Sequence, residues 1–283
     1  MLQMSSYRNV LEQAIKQIEL VEVPDAKVDA WYLFEHITGI SRASYFLKAE
    51  EEMSVEQVEK FQSLVEKRKQ RIPLQYIIGS QDFMGFSFLV SSATLIPRQD
   101  TEVLVEEVYK FANGKKVLDL CTGTGCIIIS LAKLCALDGA VGTDISVEAI
   151  QTAKENAKRL EADVTFYDGD LFFALPKEET FDIIVSNPPY IPSSVIDTLM
   201  PEVKEHEPMT ALDGDVDGLK FYRKIIQNAT KFLTSRGQLF FEIGCEQAND
   251  VTELLLEYGF EEIRVVKDYA GLDRVICAKR SEK

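Results

Sequence analysis

Along the first quarter of the chain, apolar residues return every three or four positions. Tyr7, Val10, Leu11, Ala14, Ile15 and Ile18 stand at i, i+3, i+4, i+7, i+8 and i+11, one face of an amphipathic helix. A second helix is predicted over residues 27–38, with Val28, Trp31, Tyr32 and Phe34 apolar and Gly39 at its end. Ser54 with Gln57 three residues on is a capping-box start for a third helix. That helix turns Val58, Phe61, Leu64 and Val65 inward, and Pro73 marks its end. Three helices with no strand between them predict a small bundle.

The period changes after residue 75. Phe86, Phe88 and Val90 alternate with smaller or polar residues, and Gly79 and Gly85 punctuate, which predicts a β-hairpin within 75–95. A helical stripe of Val103, Leu104 and Val108 follows. From Lys115 on, short apolar runs alternate with helical stretches. Strands are predicted at 117–120, 140–144, 164–167, 182–186, 238–243, 263–266 and 274–278. Strands alternating with helices imply a parallel sheet with right-handed crossovers. The last two runs lack a helix between them, so the final strand is expected to be antiparallel. The prediction is a Rossmann-like α/β fold with a seven-stranded, mostly parallel sheet and a small N-terminal helical domain. The expected division is 1–74 for the helical domain, 75–96 for a β-hairpin linker and 97–283 for the α/β domain.

Bulk composition changes this picture little. A chain of 283 residues with 46% hydrophobic content suits one large or two medium domains. The first residues contain no long apolar run, and no stretch approaches the roughly 20 apolar residues of a membrane span. A soluble, cytoplasmic protein is the expectation. Cysteines at 121, 126, 135, 245 and 277 show no metal-ligand spacing, and there are only two histidines. Reduced thiols and no metal are expected. The formal net charge of -15 disfavours broad nucleic-acid surfaces, which must neutralise phosphates. The dense basic run Lys67-Arg68-Lys69 with Arg71 reads as the last turn of a helix complementing its macrodipole.

Candidate chemistry gathers at two predicted strand ends. Asp119-Leu120-Cys121-Thr122-Gly123-Thr124-Gly125 is a strand running into a tight turn. Ligands of such sheets bind beyond the carboxyl ends of the strands, where Asp119, Asp144 and Asp170 all fall. Gly123 and Gly125 permit close approach, and the amides of the helix starting near Cys126 face the same crevice. Asp144 is placed to accept from two ribose hydroxyls, and Asp170 with Leu171 to meet an adenine. Cys121 and Ile128 stand where a dinucleotide fingerprint has its first and last glycines, which disfavours a pyrophosphate and a nicotinamide enzyme. S-adenosylmethionine has no pyrophosphate and suits this turn.

The second site is Asn187-Pro188-Pro189-Tyr190 after the strand Phe181–Ser186. The Asn187 side-chain oxygen can accept from a substrate NH2, and the Pro188 carbonyl can accept the second proton. A proline nitrogen offers no competing donor. Tyr190 can cover the substrate and meet a sulfonium as a cation–π partner, worth about 0.5–2 kcal/mol. The two sites together predict methyl transfer to an amide or amino nitrogen. The tetrapeptide alone does not separate a protein amide from a nucleic-acid base, which would have to be flipped out of its stack.

These residues resemble the amino-methyltransferases. Arg71-Ile72-Pro73-Leu74-Gln75-Tyr76-Ile77-Ile78-Gly79, Phe83-Met84-Gly85, Leu95-Ile96-Pro97-Arg98 and Thr101-Glu102 resemble the linker of the peptide chain release factor glutamine methyltransferases, the PrmC/HemK family. So do Glu207-Pro208, Ala211-Leu212, Asp217-Gly218-Leu219 with Tyr222-Arg223, Phe241-Glu242-Ile243-Gly244 and Gly271-Leu272-Asp273-Arg274. The resemblance implies a class I S-adenosylmethionine-dependent fold, with S-adenosyl-L-homocysteine as product. It implies methylation of the glutamine side-chain nitrogen in the Gly-Gly-Gln loop of class 1 release factors, and an N-terminal domain that helps dock them. It also implies a monomer without direct nucleic-acid or membrane binding. Cys121, Thr122, Gly123, Thr124, Gly125, Asp144, Asp170, Leu171 and Asn187 are then expected at the cofactor. Asn187, Pro188, Pro189 and Tyr190 are expected at the glutamine, with Asn187, Pro188 and Tyr190 catalytic. The family commonly has glycine where this chain has Cys121 and Asp215.

Overall fold

The structure, a computed structural model, describes residues 5–176 and 179–281, so the outermost ends of the first and last predicted domains lie outside the described residues. The chain divides into two units. One ends at Gly79 and also takes in Pro201–His206; the other runs Ser80–Met200 and resumes at Glu207.

The first unit holds α1 (Tyr7–Glu19), α2 (Ala26–Thr38), α3 (Arg42–Lys48), α4 (Val55–Lys69), α5 (Leu74–Ile78) and a short helix over Pro201–His206. Its caps follow the sequence. The Ser6 and Ser54 side chains accept from the Asn9 and Gln57 amides, and Gly39 closes α2 in the left-handed region. Phe34 and Phe61 meet edge-to-face at 6.1 Å in the core. The bundle has more helices than the three predicted. Helices α3 and α5 are only 7 and 5 residues long and contain no buried residue, too short to show a period. Gln75 to Ile78 is accordingly helix rather than strand, and Pro73 is the N-cap of α5 rather than the stop of α4.

The basic run does more than complement a dipole. Arg68 is only 4% exposed. Its Nε donates to Asp29 at 2.7 Å and its Nη2 to Glu202 at 2.7 Å. Arg71 adds a two-pronged pair to both Glu202 oxygens, each at 2.7 Å. Burial pushes the Glu202 carboxyl up, but the Arg71 and Arg68 guanidiniums outweigh it and hold it at about 2.

In the second unit, β1 (Ser80–Phe83) and β2 (Phe86–Leu89) form the expected hairpin. There follow α6 (Gln99–Ala112), β3 (Lys116–Leu120), α7 (Cys126–Leu134), β4 (Gly139–Asp144), α8 (Val147–Arg159), β5 (Thr165–Asp168) and β6 (Phe181–Ser186). Short helices α9 (Ser193–Ile196) and α11 (Met209–Leu212) come next, with α10 (Pro201–His206) of the first unit between them in the chain. Helix α12 (Lys220–Phe232), β7 (Leu233–Glu242), α13 (Ala248–Glu257), β8 (Phe260–Lys267) and β9 (Asp273–Arg280) complete it. The sheet order is β5-β4-β3-β6-β7-β9-β8. Strand β9 is antiparallel to β7 and β8, and the other sheet pairings are parallel, as expected. Strands β3 and β6 are covered on both faces, which is why they read as continuous apolar runs. Among the described residues, no helix is long and apolar enough to cross a membrane.

Asn156 of α8 fixes the hairpin against the unit. It accepts from the Leu89 amide at 2.7 Å and donates to the carbonyls of Leu89 and Thr124, each at 3.0 Å. One buried amide thus ties β2 to the turn after β3.

Removing Arg68 leaves Asp29 buried without its ion-pair partner and strips one of two from Glu202. Arg68→Ala is expected to destabilise the chain by about 3–5 kcal/mol in denaturant titration. A loss below about 1 kcal/mol contradicts a buried ion cluster.

Candidate active site

Strand register assembles the site. Leu120 of β3 is level with Thr143 of β4 on one side and Ser186 of β6 on the other, and Ser186 is level with Phe241 of β7. Cys121, Asp144, Asn187 and Glu242 are therefore each the next residue beyond one line drawn across four strands. The Ser186 hydroxyl donates to the Leu120 carbonyl at 2.7 Å and locks the ends of β3 and β6 together.

A cavity of about 310 Å³ opens on this line. Cys121, Thr122, Gly123, Thr124, Asp144, Asp170, Leu171, Asn187 and Pro189 all line it. Thr94, Leu95, Pro97, Arg98 and Thr101 form another wall, and Met209, Thr210, Ala211 and Asp213 a third. Glu207 holds the second wall, accepting from the Ile96 amide at 3.2 Å and pairing with Arg98. Gly125, Pro188 and Tyr190 do not line the cavity. A Cβ on Gly125 would stand 2.8 Å from Ile129 Cδ1, so this glycine lets α7 pack. Pro188 is buried. Tyr190 packs against the apolar cluster to which Leu118 and Tyr222 belong, and its hydroxyl donates to Glu242 at 3.1 Å.

The turn after β3 is left-handed at Cys121, where φ is 60°, and at Gly123, where it is 54°. Asp215 has φ 73°. Cys121 and Asp215 both sit in backbone that favours glycine. Gly123 has nothing within 4 Å of where a Cβ would stand, so its open side faces free space. Its amide donates to Asp144 Oδ2 at 2.9 Å, and the Ser146 amide donates to Oδ1 at 2.9 Å. Each Asp144 oxygen keeps a lone pair for a further donor.

Behind the turn, Asp119 is fully buried. Its Oδ2 accepts from the Thr122 hydroxyl at 2.6 Å, while Oδ1 has no hydrogen-bond partner among the described residues. Burial pushes this carboxyl up to about 7, against the Thr122 bond that lowers it. Asp144 and Asp170 line this end of the cavity, with Asp119 buried behind the turn. That set fits a cationic, hydroxyl-bearing ligand and repels a polyphosphate.

Two residues the sequence reading quoted without a role belong to the site. Asn187 Nδ2 donates to Thr101 Oγ1 at 3.3 Å, and that hydroxyl donates to Glu242 Oε2 at 2.6 Å. Glu242 is 2% exposed, and burial pushes its carboxyl up. Its signal was present in the sequence as a lone carboxylate after Leu239-Phe240-Phe241, at the end of a buried strand.

Residues 9–79 match the family described as PrmC N-terminal domain, and residues 111–271 match the family described as methyltransferase domain. Among solved structures, a Pyrococcus furiosus methyltransferase aligns with TM-score 0.53 at 16% identity, covering 78% of this chain and 98% of that one. The T. thermophilus 16S rRNA N2 G1207 methyltransferase, solved with AdoMet and guanosine, aligns with TM-score 0.51 at 20% identity over 71% of this chain and 49% of that one. At such identities the likeness shows the fold. The release factor glutamine methyltransferase of Geobacter sulfurreducens is 40% identical over 270 residues, 95% of each chain. That of Agrobacterium fabrum is 39% identical over 274 residues, covering 94% of this chain and 95% of its own. Fold and site define a class I methyltransferase whose cofactor is S-adenosylmethionine. Within that class, the chain belongs to the release factor glutamine methyltransferases.

The buried Asp119 gives a pH signature. Between its ordinary 3.8 and about 7, the folded protein keeps a proton that the unfolded chain has released. Stability contributed by this residue therefore falls as pH rises through that window. Asp119→Asn has nothing to titrate, so it should stabilise the cofactor-free protein relative to wild type more at pH 8 than at pH 5, by on the order of 1–4 kcal/mol, read as a larger rise in Tm. Thermal unfolding at the two pH values checks this; equal changes at both contradict it.

Proposed function

We propose that this chain transfers the methyl group of S-adenosyl-L-methionine to the side-chain amide nitrogen of the glutamine in the Gly-Gly-Gln loop of class 1 peptide chain release factors. The observation that carries the reading is the line across β3, β4 and β6, which puts Cys121, Asp144 and Asn187 on one cavity. The cofactor supplies an electrophilic methyl group on its sulfonium and leaves as S-adenosyl-L-homocysteine.

Asp144 accepts from ribose hydroxyls with the lone pairs that the Gly123 and Ser146 amides leave free. Leu171, with φ 52° and mostly buried, presents an apolar face for the adenine beside Asp170. Thr122, Gly123 and Thr124 bring the turn close to the cofactor, and Asp119, buried behind them, holds the Thr122 hydroxyl. Asn187 Oδ1 accepts a hydrogen bond from one N–H of the substrate NH2 and the Pro188 carbonyl from the other; as the nitrogen–methyl bond forms the methyl–sulfur bond breaks, and one amide proton leaves to solvent. Two acceptors orient the nitrogen towards the methyl carbon at about 3–3.5 Å and weaken its conjugation with the amide carbonyl. Pro189 closes the pocket beside it. The assignment of Pro188 and Tyr190 as catalytic, and of Cys121 and Gly125 to the cofactor, remains part of this reading.

Residues 1–74 serve in this reading as the docking domain for the release factor, 75–96 as the linker and 97–283 as the catalytic domain. The enzyme works as a cytoplasmic monomer without direct nucleic-acid binding. The formal net charge of -15 supports the last point.

Labelled S-adenosylmethionine, the enzyme and a purified release factor should give a labelled glutamine, located by mass spectrometry of the loop peptide. Replacing that glutamine by alanine in the release factor must abolish labelling; persistent label, or label in DNA or RNA instead, refutes the assignment. In the enzyme, Asn187→Ala should leave cofactor affinity within a few-fold and lower kcat by about 10²–10³-fold. Loss of cofactor affinity alone contradicts the acceptor role.

A further inference from the structure

Resting on the reading of Asn187 as acceptor for the substrate amide, we propose that the Glu242 carboxylate, acting through Thr101, is the positioning group that decides which way the Asn187 side chain faces. The structure supplies a chain of three polar groups: Asn187 Nδ2, Thr101 Oγ1 and Glu242 Oε2, spaced at 3.3 and 2.6 Å. Both Glu242 oxygens accept from hydroxyls, Oε2 from Thr101 and Oε1 from Tyr190, so the Thr101 hydroxyl acts as the donor in this contact. The hydroxyl has one proton. Having given it to Glu242, it meets Asn187 only as an acceptor, and Asn187 must turn its NH2 group towards it. The Asn187 oxygen is left for the cavity, where a substrate NH2 needs an acceptor. A buried carboxyl group at the end of β7 thus sets the polarity of a neutral amide at the end of β6.

The same carboxylate reaches the other end of the motif. Glu242 Oε1 accepts from the Tyr190 hydroxyl at 3.1 Å. One buried side chain, 2% exposed, therefore holds both Asn187 and Tyr190, the first and last residues of the turn that carries the chemistry. Thr101 is itself 2% exposed and sits in the first turn of α6, so its hydroxyl has few other orientations open to it. Arg274 stands nearby as a counter-charge, with its Nη1 donating to the Ile243 carbonyl at 3.4 Å. Burying a carboxylate with two hydroxyl partners carries a desolvation cost that an apolar residue would avoid. Orientation of the catalytic amide is the return that explains its presence at this strand end.

Three variants test the relay: Thr101→Val removes the hydroxyl at nearly constant volume, Thr101→Ser keeps it, and Glu242→Gln keeps the shape but leaves one of the two hydroxyls facing a donor. Thr101→Val and Glu242→Gln should each lower kcat about tenfold to a hundredfold, while cofactor Kd and KM for the release factor stay within about threefold. Thr101→Ser should stay within about threefold of the wild type. A second readout needs no substrate: with 15N-labelled asparagine, the Asn187 side-chain amide resonance, assigned through Asn187→Ala, should shift or broaden in Thr101→Val and Glu242→Gln and stay in place in Thr101→Ser. The proposal is overturned if Thr101→Val turns over within about threefold of the wild type, if Thr101→Ser is as defective as Thr101→Val, or if the resonance is unmoved in Thr101→Val. Should Glu242→Gln not fold, the Thr101 pair decides. A wild-type enzyme that fails to label the release factor refutes the functional reading and leaves the resonance test to judge the relay.

Discussion

Parallel pairing in register is the constraint on which the site depends. With Leu120 held level with Thr143 and Ser186, three separate turns leave the sheet at one height. A shift of one residue in β6 would turn Asn187 to the other face of the sheet, because side chains alternate along a strand. Register here is fixed by burial on both faces and by the Ser186 bond to the Leu120 carbonyl. Strand β3 also lies where the chain's crossovers diverge, between β4 and β6, which opens the crevice. The meeting of the turns after β3 and β6 on one cavity is therefore one consequence of strand order.

Around that crevice the protein buries groups it would do better, for stability alone, to leave in water. Asp119 and Glu242 are both enclosed, and both carboxyls are pushed up by the lost hydration. Asn156 is fully buried as well, but its amide is satisfied by Leu89 and Thr124. The contrast is informative. Asn156 completes its hydrogen bonds and fastens structure, whereas Asp119, behind the turn after β3, keeps one oxygen without a hydrogen-bond partner among the described residues. An unsatisfied buried acceptor is a standing cost that a bound cation can offset. The first unit spends its buried charge differently: Arg68 and Arg71 saturate Glu202, and the cluster fastens the Pro201–His206 helix within that unit. The chain leaves the second unit after Met200 and re-enters it at Glu207, whose carboxylate holds the Ile96 amide in the cavity wall.

Much of this was legible in the chain because the signals are local. The 3.6-residue period of Tyr7 to Ile18 and the apolar run Phe181 to Ser186 depend only on which face is buried. Ser54 and Gly39 mark helix ends through bonds and dihedral angles within a few residues. Asp144 and Asn187 could be placed because an α/β sheet binds ligands at its carboxyl ends. Helices α3 and α5 escaped for the opposite reason: at 7 and 5 residues they bury no side chain and show no period. Arg68 read as a helix-end cation because its partners Asp29 and Glu202 are 39 and 134 residues away.

The sequence by itself determined the α/β class, the helical unit before it, and the residue types that can hold an adenosine and an amide, since each follows from short-range pattern and side-chain chemistry. Tertiary structure alone decided how those types divide the work. Gly125 serves the packing of α7, Tyr190 turns from the cavity to Glu242, and Thr101 of α6 stands between Asn187 and Glu242. Residues 101, 187 and 242 share no sequence signal that pairs them. Their meeting is set by which strands lie side by side and at what height, and hydrogen-bond direction is fixed only once donor and acceptor are in reach.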